Sequence, residues 1–127
     1  MTAAARRSLN DIVLLIFAPI LIVAGGLGFV VPAALRLTSG APAYNIFHIA
    51  AGAGGLLLAL SRREGAVRAF NVGFGAIDVY QAVASVAHLF PESAFRWTRA
   101  DDALHVVIGI ALIAIGALGG PLTEARS

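Results

Sequence analysis

The stretch NIFHIAAG at residues 45–52 returns as DALHVVIG at residues 102–109, an offset of 57 residues (45 to 102). In each copy an amide or carboxylate side chain stands three residues before a histidine, and a glycine stands four residues after it. Each copy opens a long hydrophobic run, as expected for a membrane helix that begins with a polar turn and packs through small residues. The repeat predicts a chain of two similar halves.

The composition is typical of a membrane protein. Hydrophobic residues make up 59% of the 127 residues, charged residues only 13%, and the mean hydropathy is +0.88. This length is enough for a single transmembrane domain, residues 1–127. The chain has no cysteine, which excludes disulfides and thiolate metal sites. Nine basic residues against seven acidic ones are too small an excess to indicate a nucleic acid partner.

Four runs of the chain are free or nearly free of charge: 12–35, 43–60, 69–90 and 103–120. Each is close to the roughly 20 residues that cross a hydrocarbon layer of about 30 Å. Since only helices and closed barrels satisfy their backbones in lipid, the runs predict an all-α membrane protein with four transmembrane helices. The offset of 57 maps the second run onto the fourth, and roughly the first onto the third. This predicts two tandem helical hairpins related by a pseudo-two-fold axis, with glycines at the helix contacts.

The placement of arginine predicts that both termini are cytoplasmic. With the N-terminus inside, the cytoplasmic side holds Arg6, Arg7, Arg62, Arg63, Arg68 and Arg126, and the other side holds Arg36, Arg96 and Arg99. The pair Arg6-Arg7 ahead of an apolar run also resembles a twin-arginine export signal. The first run is longer than the apolar core of a signal peptide and three more runs follow, which favours a retained first helix.

The three histidines are the first candidates for a binding site. His48 and His105 stand near the starts of the second and fourth helices and His88 near the end of the third, so all three are expected within about 10 Å of the outer interface. The same level holds Asn45, Asp101 and Asp102. Such imidazoles are suited to a haem b, a metal ion or a quinone. The sequence favours a structural role instead, in which Asn45, Asp101 and Asp102 cap the helix starts and the histidines form hydrogen bonds within the bundle. No spacing typical of a metal site is present.

The third run carries an intramembrane polar stripe. Its members follow at helical spacing within an arc of about 100°: Asn71, Asp78, Gln81, Ser85 and His88. Asp78 is expected near the midplane of the membrane, where an ionised carboxylate costs at least about 2.5 kcal/mol, so it should face the bundle interior. Two interpretations stay open: interhelical hydrogen bonding by a protonated Asp78, or a proton or solute path on which Asp78 titrates.

The aromatic residues outside this stripe are expected at the periphery of the bundle. Trp97, with Phe95 and Arg96 beside it, follows the third run and has the composition of an interfacial anchor. Tyr80 lies on the face opposite the stripe, where it is expected to pack or to face lipid.

Four short segments resemble a known family. They are Gly26-Leu27-Gly28-Phe29, Asn45-x-x-His48-x-x-x-Gly52, Arg68-Ala69-Phe70-Asn71-x-x-Phe74-Gly75 and Ala100-Asp101-Asp102-x-x-His105-x-x-x-Gly109. Together they resemble the domain-of-unknown-function family 4383, a bacterial family of small four-helix membrane proteins. The resemblance covers most of the chain, and it implies a multi-pass protein of the bacterial inner membrane, with the histidines of the second and fourth helices at recurring positions and no established activity. Asp78 departs from that family's mostly apolar third helix. A weaker likeness is to DoxX-type membrane proteins, which are linked to quinone or thiol redox chemistry.

The sequence as a whole predicts a non-enzymatic accessory or structural component of the membrane, with the lipid bilayer and either further copies or a larger membrane complex as partners. No catalytic triad is expected, because Ser85 shares its helix with His88 and lacks a nucleophile elbow. Two alternatives stay open. One is a redox carrier that binds haem b or a quinone through His48 and His105. The other is a proton-coupled transport or channel element that uses Asp78.

Overall fold

Helices account for all the regular structure that the computed structural model describes, which covers residues 7–119. No strand occurs in that range. The elements are α1 (Leu9–Val30), α2 (Pro42–Ser61), α3 (Glu64–Ala87), the short α4 (Glu92–Phe95) and α5 (Arg99–Leu118), with a 3-10 turn at Ala33–Leu35. The predicted all-α fold is confirmed.

Three helices in the described range are long and apolar enough to cross a membrane: α1, α2 and α5. This supports the prediction of a multi-pass membrane protein. The longest helix, α3 with 24 residues, is not among the three. It begins with the charged residues Glu64 and Arg68 and carries the polar stripe, and these side chains lower its mean hydropathy.

Three helices, α1, α3 and α5, begin earlier than the charge-free runs predict, because polar residues form their first turns. Ser8 caps α1 with its hydroxyl oxygen 3.0 Å from the backbone nitrogen of Asp11, and Thr98 caps α5. The first helix also ends earlier than predicted, at Val30 rather than at residue 35. Pro32 explains this, since a proline disfavours helical backbone at the residue before it. The predicted end of the fourth helix, residue 120, lies outside the described residues.

Two helical hairpins make up the bundle, since α1 packs mainly along α2, and α3 mainly along α5. Glycines allow both contacts to be close. A Cβ atom on Gly52 would lie 2.7 Å from the carbonyl oxygen of Ala18, and one on Gly109 would lie 2.7 Å from the carbonyl oxygen of Gly75. Such a distance is shorter than a van der Waals contact, so these glycines set the separation of the helices.

The sequence repeat extends to the packing. The two contacts just described are related by the offset of 57, because Ala18 corresponds to Gly75 and Gly52 to Gly109. Buried positions follow the same offset. They pair as 10/67, 14/71, 18/75, 21/78 and 25/82 between α1 and α3, and as 44/101, 48/105, 52/109, 55/112 and 59/116 between α2 and α5. Each hairpin therefore buries equivalent faces.

An apolar layer lies between the two ends of the bundle. Leu21, Phe74 and Leu112 are buried together there, and the ring of Phe74 contacts three further aromatic rings, those of Phe17, Phe47 and Phe70. We call the end with segments 31–41 and 88–98 the histidine end. The opposite end, where α1 and α3 begin and α2 and α5 finish, is called the arginine end.

Candidate functional site

The carboxylate of Asp101 is the centre of the histidine end, and its residue is only 1% exposed. Its Oδ1 accepts a hydrogen bond from the hydroxyl of Tyr44 at 2.6 Å. Its Oδ2 accepts from the backbone nitrogens of Ser39 at 2.8 Å and of Thr98 at 2.9 Å. One side chain of α5 is therefore tied to α2 and to the α1–α2 loop.

Two hydroxyl groups connect the loops above this carboxylate. The Thr98 hydroxyl donates to the carbonyl oxygen of Leu37 at 2.7 Å, and the Ser39 hydroxyl donates to the carbonyl oxygen of Phe95 at 2.6 Å. Thr98 also begins α5 through a capping box, in which Asp101 is the reciprocal partner. The loops of the two hairpins thus interlock around Asp101, with hydroxyl donors and backbone acceptors paired across them.

His48 and His105 both lie in the interior, 7% and 5% exposed. The Nδ1 atom of His48 donates to the carbonyl oxygen of Tyr44 at 2.8 Å, and its ring stacks on the Tyr44 ring with centroids 4.1 Å apart. Since a carbonyl oxygen can only accept, the neutral ring of His48 carries its proton on Nδ1 and leaves Nε2 as an acceptor.

His105 has a different environment from His48, its equivalent in the repeat. The edge of its ring meets the indole of Trp97, with centroids 6.4 Å apart and the planes 87° apart. Its Nδ1 atom has no hydrogen-bond partner among the described residues, and the same is true of the buried Oε1 of Gln81 and Nε1 of Trp97. An unsatisfied buried polar group costs about 1–3 kcal/mol, so these three atoms could hydrogen-bond a small polar ligand or water.

Asp78 lies deeper in the bundle, beside α5. It is 3% exposed, and a Cβ atom on Gly109 would lie 3.1 Å from its Cβ. Gln81 follows about one helical turn nearer the histidine end and is 4% exposed. Ser85, another turn along, is half-buried. These members of the polar stripe are buried or half-buried along α3, between Phe74 and the histidine end.

Asn71, the first member of the stripe, belongs to the opposite cluster. Its Nδ2 atom donates to Oδ1 of Asn10 at 2.9 Å, so it joins α3 to α1 at the arginine end. The hydroxyl of Ser8 donates to Glu64 at 2.5 Å between the same two helices. On α3 the buried Phe74 lies between Asn71 and the rest of the stripe.

Arginines of the arginine end donate to equivalent carbonyl groups. Arg7 Nη1 lies 3.0 Å from the carbonyl oxygen of Ala59, and Arg68 Nε lies 3.0 Å from that of Gly116. Ala59 and Gly116 are 57 residues apart and sit in the last turns of α2 and α5. A cation at the C-terminal end of a helix is favourable because of the partial negative charge there. Arg6 and Arg126, which were counted with this side, lie outside the described residues.

The structure places His88 away from the other two histidines. It follows α3 in the left-handed region, with a φ of 57°, and its side chain is 82% exposed, with Nδ1 at 3.7 Å from Glu92 Oε1. The left-handed residue ends the helix and turns the side chain out of the stripe. All three histidines therefore lie at the same end of the bundle, but only His48 and His105 lie in its interior.

The expected helix caps are partly wrong. Asp101 does take part in a cap, as the partner of Thr98. Asn45 does not, because α2 begins at Pro42 with Ala41 before it, and Asn45 Nδ2 instead donates to the carbonyl oxygen of Gly40 at 3.0 Å. Asp102 lies inside the first turn of α5, and its buried Oδ1 has no partner among the described residues.

Trp97 is also placed differently from the expectation. The sequence predicts an interfacial anchor, whereas the side chain is buried at 7% exposure and packs against Phe95, with ring centroids 5.2 Å apart. Tyr44, Ser39 and Thr98 were not predicted as site residues. A signal for two of them existed: Tyr44 is the equivalent of Asp101 in the repeat, and Thr98 with Asp101 has the spacing of a capping box.

Comparison with known proteins gives no relative: no protein-family model, no curated protein and no solved structure matches the chain. The resemblance to family 4383 therefore stays a prediction. Within residues 7–119, no three histidine, aspartate or glutamate side chains come together as a group that could hold a metal ion. The arrangement that the geometry does supply is two buried imidazoles, those of His48 and His105, and the buried carboxylate of Asp101, which joins the two hairpins through the hydrogen bond from Tyr44.

Proposed function

We propose that this chain is a four-span protein of the bacterial inner membrane that acts as a non-enzymatic accessory or structural component. In this proposal α3 is the fourth span, although its mean hydropathy is low. Its polar side chains point inward, and the side chains it exposes are mostly apolar, among them Ile77, Val83 and Val86. What matters for insertion is the face that meets lipid, and that face of α3 suits a bilayer.

The orientation in this proposal has both termini in the cytoplasm. The described part of the arginine end holds Arg7, Arg62, Arg63 and Arg68, against Arg36, Arg96 and Arg99 at the histidine end. The excess supports an arginine end on the cytoplasmic side, in line with the positive-inside rule.

One observation carries the structural function: the best-paired buried polar groups join one hairpin to the other. Tyr44 donates to Asp101 at the histidine end, and Asn71 donates to Asn10 at the arginine end. Between them lies the apolar layer. These cross-links hold the two hairpins together as one rigid unit. A rigid bundle with an apolar exterior is suited to packing against further copies or other membrane proteins.

The test is the assembly state of the full-length chain in its native lipid. The tagged protein is extracted from membranes with a polymer that keeps the surrounding lipid, and its mass is measured by light scattering and mass photometry. We expect particles with several copies or with a stoichiometric second protein, well above the 13.0 kDa of one chain. Particles that hold one chain alone, at every expression level, would contradict an accessory role.

A second candidate is a redox carrier that binds haem b or a quinone between His48 and His105. The Nδ1 of His105, which has no partner among the described residues, favours it, together with Nε2 of the neutral His48, which is an acceptor. The test is an absorption spectrum of the purified protein, oxidised and then dithionite-reduced, with quinone extraction from the same sample. A Soret band or retained quinone that His105→Ala removes would support this candidate. A flat spectrum and no quinone from folded protein would reject it.

Transport through Asp78 has less support. On α3 the buried, apolar Phe74 lies between Asp78 and the cluster around Asn71, so it interrupts the polar stripe. A proton path along the stripe would have to pass Phe74. Liposomes loaded with a pH-sensitive dye measure this directly, and a proton flux that Asp78→Asn abolishes would establish the transport function.

A further inference from the structure

A polar cavity opens between the two loops of the histidine end. Its volume is about 310 Å³. Arg36, Thr38 and Ser39 line it from the α1–α2 loop, and Arg96 and Thr98 line it from the segment before α5. The cavity thus exists only when the two hairpins are assembled, and it has an arginine on each wall.

Arg36 is fixed at its wall. Its Nη1 atom donates to the carbonyl oxygen of Val31 at 2.7 Å, which leaves the remaining guanidinium N–H groups for other acceptors. Gly40 provides the room, because a Cβ atom at that position would collide with the guanidinium carbon and Nε of Arg36. The guanidinium is therefore held across the loop before any ligand arrives, which lowers the entropy cost of binding.

Arg96 faces the cavity from the other loop. Its backbone is in the left-handed region, with a φ of 51°, and its N–H donates to the carbonyl oxygen of Glu92 at 2.7 Å. Ser39 and Thr98 already donate their hydroxyl protons to loop carbonyls, so they shape the cavity, and the two arginines are its charged donors.

The charge near the cavity favours an anion. The carboxylate of Asp101 lies beneath it, between Ser39 and Thr98, and is saturated by donors from Tyr44, Ser39 and Thr98. Two guanidinium groups against one carboxylate leave an excess of positive charge at the opening. Guanidinium groups bind phosphate oxygens with charge-assisted hydrogen bonds, often two at a time.

We infer that this cavity binds a phosphate group, held between Arg36 and Arg96. Its position at the ends of membrane-spanning helices is the level of lipid headgroups. The phosphate has two available sources, the phosphodiester of an anionic phospholipid and a soluble phosphate. The chemistry of recognition is the same for both, and the experiment separates them.

The experiment measures binding to the full-length protein in detergent. Phosphatidylglycerol and phosphatidylcholine are titrated separately, and native mass spectrometry counts the lipid molecules bound to each protein. Inorganic phosphate is titrated as the soluble anion. Arg96→Gln is the test variant. Arg99→Gln is the matched control. It also removes one positive charge, only three residues from Arg96, but Arg99 does not line the cavity.

We expect Arg96→Gln to weaken phosphatidylglycerol binding by about tenfold, the effect of losing one charge-assisted hydrogen bond, and Arg99→Gln to change it less than twofold. Selective loss of phosphatidylglycerol identifies the lipid as the source. Selective loss of inorganic phosphate identifies the soluble anion. Equal loss in both variants, or equal binding of phosphatidylcholine and no binding of phosphate, would overturn the inference.

A second variant tests the geometry at constant charge. Gly40→Ala displaces the Arg36 guanidinium from its wall and is expected to weaken binding severalfold, with circular dichroism and melting temperature close to those of the parent. Unchanged binding in folded Gly40→Ala would show that the position of Arg36 is irrelevant, and the assignment of the cavity would fail.

Discussion

Tyr44 and Asp101 are equivalent residues of the repeat, 57 positions apart, and the hydroxyl of one donates a 2.6 Å hydrogen bond to the carboxylate of the other. Two equivalent residues can meet in this way only where the halves of the bundle face each other. The contact therefore lies next to the pseudo-two-fold axis that relates the two hairpins. It is also the shortest polar link between α2 and α5 among the described residues, which makes it the first place to test the assembly.

Tyr44→Phe is expected to lower the free energy of unfolding by about 1–3 kcal/mol, because Oδ1 of the buried Asp101 loses its donor. Denaturant titration of the detergent-solubilised protein, followed by circular dichroism, measures this. Tyr80→Phe is the control: its hydroxyl also donates at 2.6 Å, to the carbonyl oxygen of Phe90, but the residue is 46% exposed. Equal effects of the two changes would contradict a special role for the Tyr44 contact.

Gly109→Ala is expected to destabilise the α3–α5 hairpin strongly, by more than about 2 kcal/mol, since the added methyl group would lie 2.7 Å from the carbonyl oxygen of Gly75. Gly73→Ala, on α3, provides the control, because nothing lies within 4 Å of a Cβ there. This control is expected to be neutral or to stabilise by up to about 1 kcal/mol through helix propensity. Thermal unfolding of both variants makes the comparison.

The same contrast applies to the other hairpin. Gly52→Ala would place a methyl group 2.7 Å from the carbonyl oxygen of Ala18, whereas Gly54→Ala meets nothing within 4 Å. We expect Gly52→Ala to cost about as much as Gly109→Ala, because the two contacts are equivalent in the repeat. A loss at only one of the two positions would show that the hairpins contribute unequally to stability.

Asp78→Leu is expected to leave the protein folded, with a melting temperature equal to or above that of the parent. The position equivalent to Asp78 in the repeat is Leu21, which is also buried, so a leucine already fills the equivalent position of the other hairpin. Burying a carboxylate within a membrane costs at least about 2.5 kcal/mol on insertion scales, and the substitution removes that cost. A clear drop in the melting temperature would mean that Asp78 makes a stabilising hydrogen bond.

The natural absence of cysteine allows a direct test of the topology. Single cysteines at Leu37, Arg63 and Ser93, all exposed, are labelled in intact cells with a maleimide that does not cross membranes. If α3 spans the membrane, positions 37 and 93 are labelled from outside, and position 63 only after permeabilisation. Labelling of 93 together with 63 would leave α3 on one side of the membrane and end the four-span proposal.

Local properties of the chain determined most of the fold. A bilayer requires long apolar helices, so composition and run length predicted the class, and the offset of 57 predicted two similar halves whose buried positions correspond. The starts of the helices were predicted less accurately. The predicted helices were runs free of charge, and such runs exclude the polar first turns that Ser8 and Thr98 cap. The candidate histidines were predicted at the same depth, since helical rise converts residue number into depth.

Only the tertiary structure decided which of these side chains meet. Periodicity assigns a residue to a face of its helix, while the rotation of each helix and the path of the loops decide what that face contacts. This is why Trp97 is buried against Phe95 rather than exposed, and why His88 turns outward at the end of α3. It is also why the carboxylate of Asp101, which the sequence marked only as a cap, joins both hairpins at the centre of the histidine end.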